Sequence, residues 1–176
     1  GLEIVQVKHF KSLRVASLST GNSFIIGKYN YLSVIRPQFG HAWTLFGKGP
    51  QDGARLNLVI SAGPSFGLLT PYYYSIQDDQ GIEKHVRLET VLQSSRLQIL
   101  NSSGFFHGLD ETKLQMGANL KTVLNFELGI FKSSLTGVEV GWTLEAFPTA
   151  PLILVNEVRP RLFNALSLTL FYGTRY

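Results

Sequence analysis

Long stretches of this chain alternate strictly in polarity, and the polar half of the alternation carries too much charge to lie inside a soluble core. In residues 113–130 the even positions read Leu114, Met116, Ala118, Leu120, Thr122, Leu124, Phe126, Leu128 and Ile130. The odd positions read Lys113, Gln115, Gly117, Asn119, Lys121, Val123, Asn125, Glu127 and Gly129. A period of two is the strand period. The same pattern sets Val138, Val140, Trp142 and Leu144 against Glu139, Gly141, Thr143 and Glu145. It sets Leu162, Leu166, Leu168, Leu170 and Tyr172 against Arg161, Ser167, Thr169 and Arg175. Residues 28–46 place Tyr29, Tyr31, Ile35, Phe39, Trp43 and Leu45 opposite Lys28, Asn30, Arg36, Gln38 and Gly40. Residues 55–75 place Leu56, Leu58, Ile60, Phe66, Leu68, Tyr72 and Tyr74 opposite Arg55, Asn57, Ser61, Gly63 and Ser65. One more strand ends near His9.

These runs are longer than the ~5–6 residues usual in soluble sheets, and they suit the ~9–11 residues a tilted strand needs to cross hydrocarbon. The Lys, Arg, Glu and Asn of the polar face could not all be buried without partners in a soluble core. Apolar outside and polar inside describes an all-β transmembrane antiparallel up-and-down barrel. Trp43, Tyr72, Tyr74, Trp142, Tyr172 and Tyr176 then form its interfacial girdle. Residues 56–77 are uncharged and long enough for a membrane helix, but Gly63, Pro64, Gly67 and Pro71 interrupt them and their period is two. Pro64 and Pro71 each remove a ladder donor, so bulges near the outer rim are expected. Segments 131–136 and 47–54 read as short periplasmic turns, and 10–27, 77–112 and 148–160 as longer external loops. An open edge leaves backbone groups unpaired in lipid, and barrels of this kind hold an even number of strands from about eight upward. Six strands therefore predict an eight-stranded full form in which residues 1–176 make one barrel domain lacking an N-terminal hairpin, or else a wall completed by another chain, with 77–112 a long external loop.

Composition narrows the alternatives. The 176 residues suit one domain, and 44% hydrophobic against 16% charged residues is no disordered tail. The absence of cysteine excludes a disulfide scaffold and a Cys-ligated zinc module. A formal charge of +4 and a pI near 9.4 invite a nucleic-acid partner, but Lys and Arg are divided between strand faces and loops, so none is expected. His9, His41, His85 and His107 lack ligand spacing, and neither metal nor cofactor is expected. Gly1-Leu2-Glu3 has no signal-peptide character.

Several segments resemble a known family. They are Val7-Lys8-His9, residues 28–40 (KYNYLSVIRPQFG), 63–73 (GPSFGLLTPYY) and 105–113 (FFHGLDETK), and Tyr176 behind Leu166, Leu168, Leu170 and Tyr172. Over nearly its whole length the chain resembles small outer-membrane barrel proteins of Bacteroidetes-type bacteria. The C-terminal run is similar to the signal read by the barrel-assembly machinery. The resemblance implies an address, the Gram-negative cell outer membrane, with outer-membrane lipid and lipopolysaccharide around the barrel. It implies no biochemical activity.

Two sets of residues are candidates for function. Inward Lys28, Arg36, Arg55, Lys113, Lys121, Arg161 and Arg175 face Glu127, Glu139 and Glu145. In a barrel just wide enough for side chains to fill, they are expected to neutralise one another as a structural network. Arg36, between Ile35 and Pro37, needs a carboxylate partner. At the rim His107, with Ser102, Ser103, Asp110 and Glu111 nearby, offers the parts of a serine nucleophile activated by histidine, as in lipid A deacylase barrels. Local hydrogen bonds in a turn are the plainer reading. Residues 89–100 carry scattered Leu and Val and are expected to fold onto the rim or pair as a hairpin. The function expected is a non-enzymatic structural or accessory subunit that contacts envelope partners through its external loops or wall. A lipid-modifying enzyme using His107 and a soluble lipocalin-like binder are the alternatives.

Overall fold

The computed structural model describes residues 1–8, 12–17, 20–47, 54–77, 81–93, 98–131, 134–155 and 160–174. In chain order the strands are β1 (Leu2–Val7), β2 (Arg14–Ala16), β3 (Ser23–Ile25), β4 (Asn30–Pro37), β5 (Phe39–Phe46), β6 (Ala54–Pro71), β7 (Tyr73–Gln77) and β8 (Glu83–Arg87). There follow helix α1 (Leu88–Gln93), β9 (Gln98–Ser102), a 3₁₀ segment (Phe105–Glu111), β10 (Lys113–Phe131), β11 (Ser134–Ala146) and β12 (Leu162–Thr174). The fold is mostly antiparallel β, and its principal sheet curls into a half-barrel in the order β1-β4-β6-β10-β11-β12, with β5 also on β6. With β4 and β5 counted as one interrupted strand, each strand of this sheet pairs with the next of its members along the chain, β2–β3 and β7–β9 being inserted outside it, as an up-and-down meander requires.

Alternation decides which side chains face which way. On β10 Leu114 and Met116 are more than half exposed, whereas Asn119, Val123 and Glu127 are buried. On β4 the buried residues are Asn30, Leu32, Val34 and Arg36. Where side chains are described, even residues of β6, β10, β11 and β12, odd residues of β4, and Phe39, His41, Trp43 and Phe46 of β5 thus lie on the convex face, and their neighbours on the concave one.

The expected strand 28–46 is divided into β4 and β5. Ile35 pairs with Phe66 and Phe39 with Ala62, so no residue is gained or lost across the break. Pro37 and Pro64 come opposite each other within it, and neither has an N–H to give. A Cβ on Gly63 would run into the Pro37 carbonyl, so only glycine fits this close approach. Pro64 is therefore a mid-wall interruption without register slip, not a bulge at the rim. Pro71 ends β6.

Beyond Pro71 the chain leaves the main sheet. β7 pairs with β8 and β9 in a three-stranded cap, and β2 with β3 in a hairpin. Tyr72 and Tyr74, expected in the girdle, are buried here with Phe24, Ile76 and Leu88. The Tyr74 hydroxyl donates to Ile25 O at 2.8 Å and accepts from the Lys28 N–H at 3.0 Å. Burial raises the Tyr74 phenol well above its ordinary range, and the neighbouring Tyr72 adds to the effect. Of the segment expected on the rim, residues 89–93 are helical, 94–97 lie outside the described residues, and Gln98 and Ile99 pair with β7 in the cap.

The segment after β11, expected as an external loop, turns inward. Ile153 and Leu154 pack with Leu32, Val34 and Phe147 against the concave face at the cap end. Ile153 O accepts from the Tyr29 N–H at 2.8 Å, and the Val155 N–H donates to Gly27 O at 2.9 Å. An apolar stretch that finds backbone partners lowers its free energy by leaving water. Ile153→Ala should cost ~2–4 kcal/mol, read from the urea midpoint, and the less buried Leu152→Ala distinctly less.

Candidate functional site

The concave face at mid-height holds an ion cluster. Arg36 on β4 donates to Glu145 on β11 through Nε at 2.9 Å and one terminal nitrogen at 2.7 Å. Its other terminal nitrogen donates to Glu3 of β1 at 3.2 Å, and Lys121 Nζ on β10 donates to the second oxygen of Glu3 at 3.2 Å. β4 and β11 are separated by β6 and β10 in the sheet. Side chains on one face of a flat sheet point in parallel and could not meet over that span, so the forked pair is a direct consequence of the curl. Glu145 is 1% exposed; a carboxylate there is tolerable because a planar guanidinium meets both of its oxygens.

A second set of contacts lies beside the first. Gln38 Nε2 donates to Asn119 Oδ1 at 2.8 Å, and Asn119 Nδ2 reaches Gly63 O, Pro64 O and Ser65 Oγ within 3.1 Å. Asn119 thereby satisfies carbonyls at the level where the prolines interrupt the ladder.

The remaining charges expected inside are distributed along the sheet. Arg55 stands opposite Glu127 in the register of β6 and β10, and Glu139 lies between Asn125 and Thr169. Lys113 begins β10 opposite Leu69. Arg161 precedes β12 and is exposed, with its carbonyl accepting from the Phe147 N–H at 2.8 Å. Lys28 stands apart from the cluster. It precedes β4, after a turn through Gly27 at φ 70°, and its Nζ lies 3.9 Å over the Tyr31 ring. Arg175, Tyr176 and His9 lie outside the described residues. Trp43, Trp142 and Tyr172 are exposed on the convex face. Glu3 was absent from the sequence-based set because β1 is short; its signal was the alternation Glu3, Val5, Val7.

The cap carries the other candidate. His107 rests its ring 4.4 Å from that of His85 and 5.1 Å from that of Tyr73. Hydroxyl contacts belong to His85, whose Nδ1 lies 2.7 Å from Ser103 Oγ and 3.0 Å from Ser75 Oγ. Glu111 accepts from the Tyr73 hydroxyl at 2.6 Å and pairs with Arg87, and Asp110 is exposed. The histidine positioned to take a proton from a serine is thus His85, which lay unmarked in a short, weakly alternating strand. Among the described residues no group of His, Asp or Glu could hold a metal ion. No family model, curated protein or solved structure matches the chain.

Breaking the forked pair isolates a buried charge. Arg36→Leu should lose ~3–5 kcal/mol, and adding Glu145→Leu should recover most of the loss. Urea midpoints of the two single variants and the double variant complete the cycle.

Proposed function

We propose that this protein is an integral β-barrel of a Gram-negative outer membrane, eight-stranded when complete, which serves as a non-enzymatic structural or accessory subunit and contacts other envelope components through its cap or wall. One observation carries the reading. Across the convex face, from the row Ile4, Ile35, Phe66, Met116 to the row Leu56, Phe126, Val138, Leu170, the described outward positions include no Asp, Glu, Lys or Arg. The same strands carry Glu3, Arg36, Lys121, Glu127, Glu139 and Glu145 on the opposite face.

The height of that surface supports a bilayer as its solvent. Met116 to Phe126 spans ~34 Å along the strand at ~3.4 Å per residue. At a tilt of ~40° this is ~26 Å of height, against an apolar band of ~25 Å in outer-membrane barrels. The edges β1 and β12 face a cavity of about 440 Å³ lined by Val5, Val7, Arg36, Glu145 and Phe163. In a bilayer those edges require further strands to pair their backbone, which supports the eight-stranded form. Packing of Leu32, Val34, Phe147, Ile153 and Leu154 over the ion cluster supports a filled interior, not a pore.

A lipocalin-like binder would turn its leucine rows inward. The enzyme reading rests now on His85 with Ser103 and Ser75. If it held, His85→Ala would abolish release of fatty acid from lipid A without altering assembly, whereas a non-enzymatic subunit releases none.

Two measurements test the barrel. The protein should stay insoluble without detergent and show heat-modifiable gel migration; a detergent-free soluble monomer overturns the reading. Leu120→Arg, at mid-height on the convex face, should cost ~2–4 kcal/mol in liposomes. Thr169→Arg, on the concave face opposite Glu139, should stay within about 0.5 kcal/mol of the parent.

A further inference from the structure

Where the apolar band ends at β1 and β4, a cavity of about 540 Å³ opens beside the β2–β3 hairpin. Gln6 continues the outward row of Leu2 and Ile4 on β1, and Tyr31 continues that of Ile35 on β4. Both line the cavity, together with Lys8, Arg14, Lys28 and Ser102. Among the described residues none that lines it is acidic, and the sequence has no Asp or Glu between Glu3 and Asp52.

Lys28 is the buried member, 8% exposed, while Lys8 and Arg14 are exposed. Burial, and after it repulsion from Lys8 and Arg14, pushes the Lys28 ammonium down to about 8. Like charges gathered with no counter-charge among the described residues raise the free energy of the empty cavity, and an anion among them would lower it. A phosphate monoester carries about −1.5 to −2 charge at neutral pH and three strong acceptor oxygens, which matches three cations and a hydroxyl.

We propose that this cavity binds a phosphate monoester group. On the outer-membrane reading above, on which this part rests, the group belongs to the headgroup of an amphiphile whose acyl chains lie on the leucine rows beneath.

The test uses the whole chain in two arms. In the first, protein in maltoside micelles is titrated with inorganic phosphate by calorimetry. In the second, protein in phosphatidylcholine nanodiscs doped with phosphatidic acid or phosphatidylglycerol is scored by native mass spectrometry for retained lipid. The proposal expects phosphate binding, or preference for phosphatidic acid over the diester, and a weakening of about tenfold or more in Lys28→Gln. The double variant of the exposed pair, Lys8→Gln with Arg14→Gln, should show the same loss with folding untouched, and Lys84→Gln on the cap strand β8 should bind as the parent does. Retention of phosphatidic acid assigns the lipid as source; phosphate binding without it assigns a soluble phosphate. Binding in neither arm, or equal loss in Lys84→Gln, overturns the proposal. A protein soluble without detergent would sink the barrel reading alone, since the phosphate titration in plain buffer would still decide the site.

Discussion

The forked contact between Arg36 and Glu145 links curvature to charge. Each group is buried, and each would be costly to hold there alone. Glu145 takes two donors from one guanidinium, and Arg36 spends its remaining nitrogen on Glu3, whose second oxygen belongs to Lys121. Four strands, β1, β4, β10 and β11, are thereby tied across the concave face. Flattening the sheet would break the Arg36–Glu145 and Lys121–Glu3 bonds together, each of which crosses two intervening strands, and leave only the neighbouring Arg36–Glu3 pair. The cluster is therefore specific to the curled form, which an apolar interior of similar volume would not be.

Packing around the cluster differs toward the two ends. On the cap side Leu32, Val34, Phe147, Ile153 and Leu154 form a dry layer, and the segment that supplies Ile153 and Leu154 also pairs its backbone with residues 27–30. On the far side Val123 and Glu127 are buried, and Gly141 leaves space that Ser167 and Val123 occupy. The concave side is thus closed by apolar contacts toward the cap and by salt bridges at mid-height.

Much of the main sheet was legible in the residues, for a physical reason. A period of two with one charged face admits few arrangements, and it marked each strand and which way Leu114, Leu120, Asn119 and Glu145 face. The need of Arg36 for a carboxylate was legible too, but the identity of Glu145 was not, because curvature decides which distant strands meet. Tyr72 and Tyr74 misled because alternation continues through Pro71 while the surroundings change from the open face to a cap. Residues 151–155 (PLILV) carry a signal of their own: an apolar run in a segment between strands has to be buried somewhere. His85 offered no such signal, since only the folding of the cap brings Ser75 and Ser103 to it.

The facing prolines leave the wall with a crease. Where Pro37 meets Pro64 the ladder lacks two donors, and the carboxamide of Asn119 holds the carbonyls that rungs would otherwise hold. Side-chain bonds tolerate rotation that a run of backbone rungs resists. β4 above and β5 below consequently hang on a common strand, since β6 runs unbroken beside β10 through the same level, and the crease is confined to one side of β6.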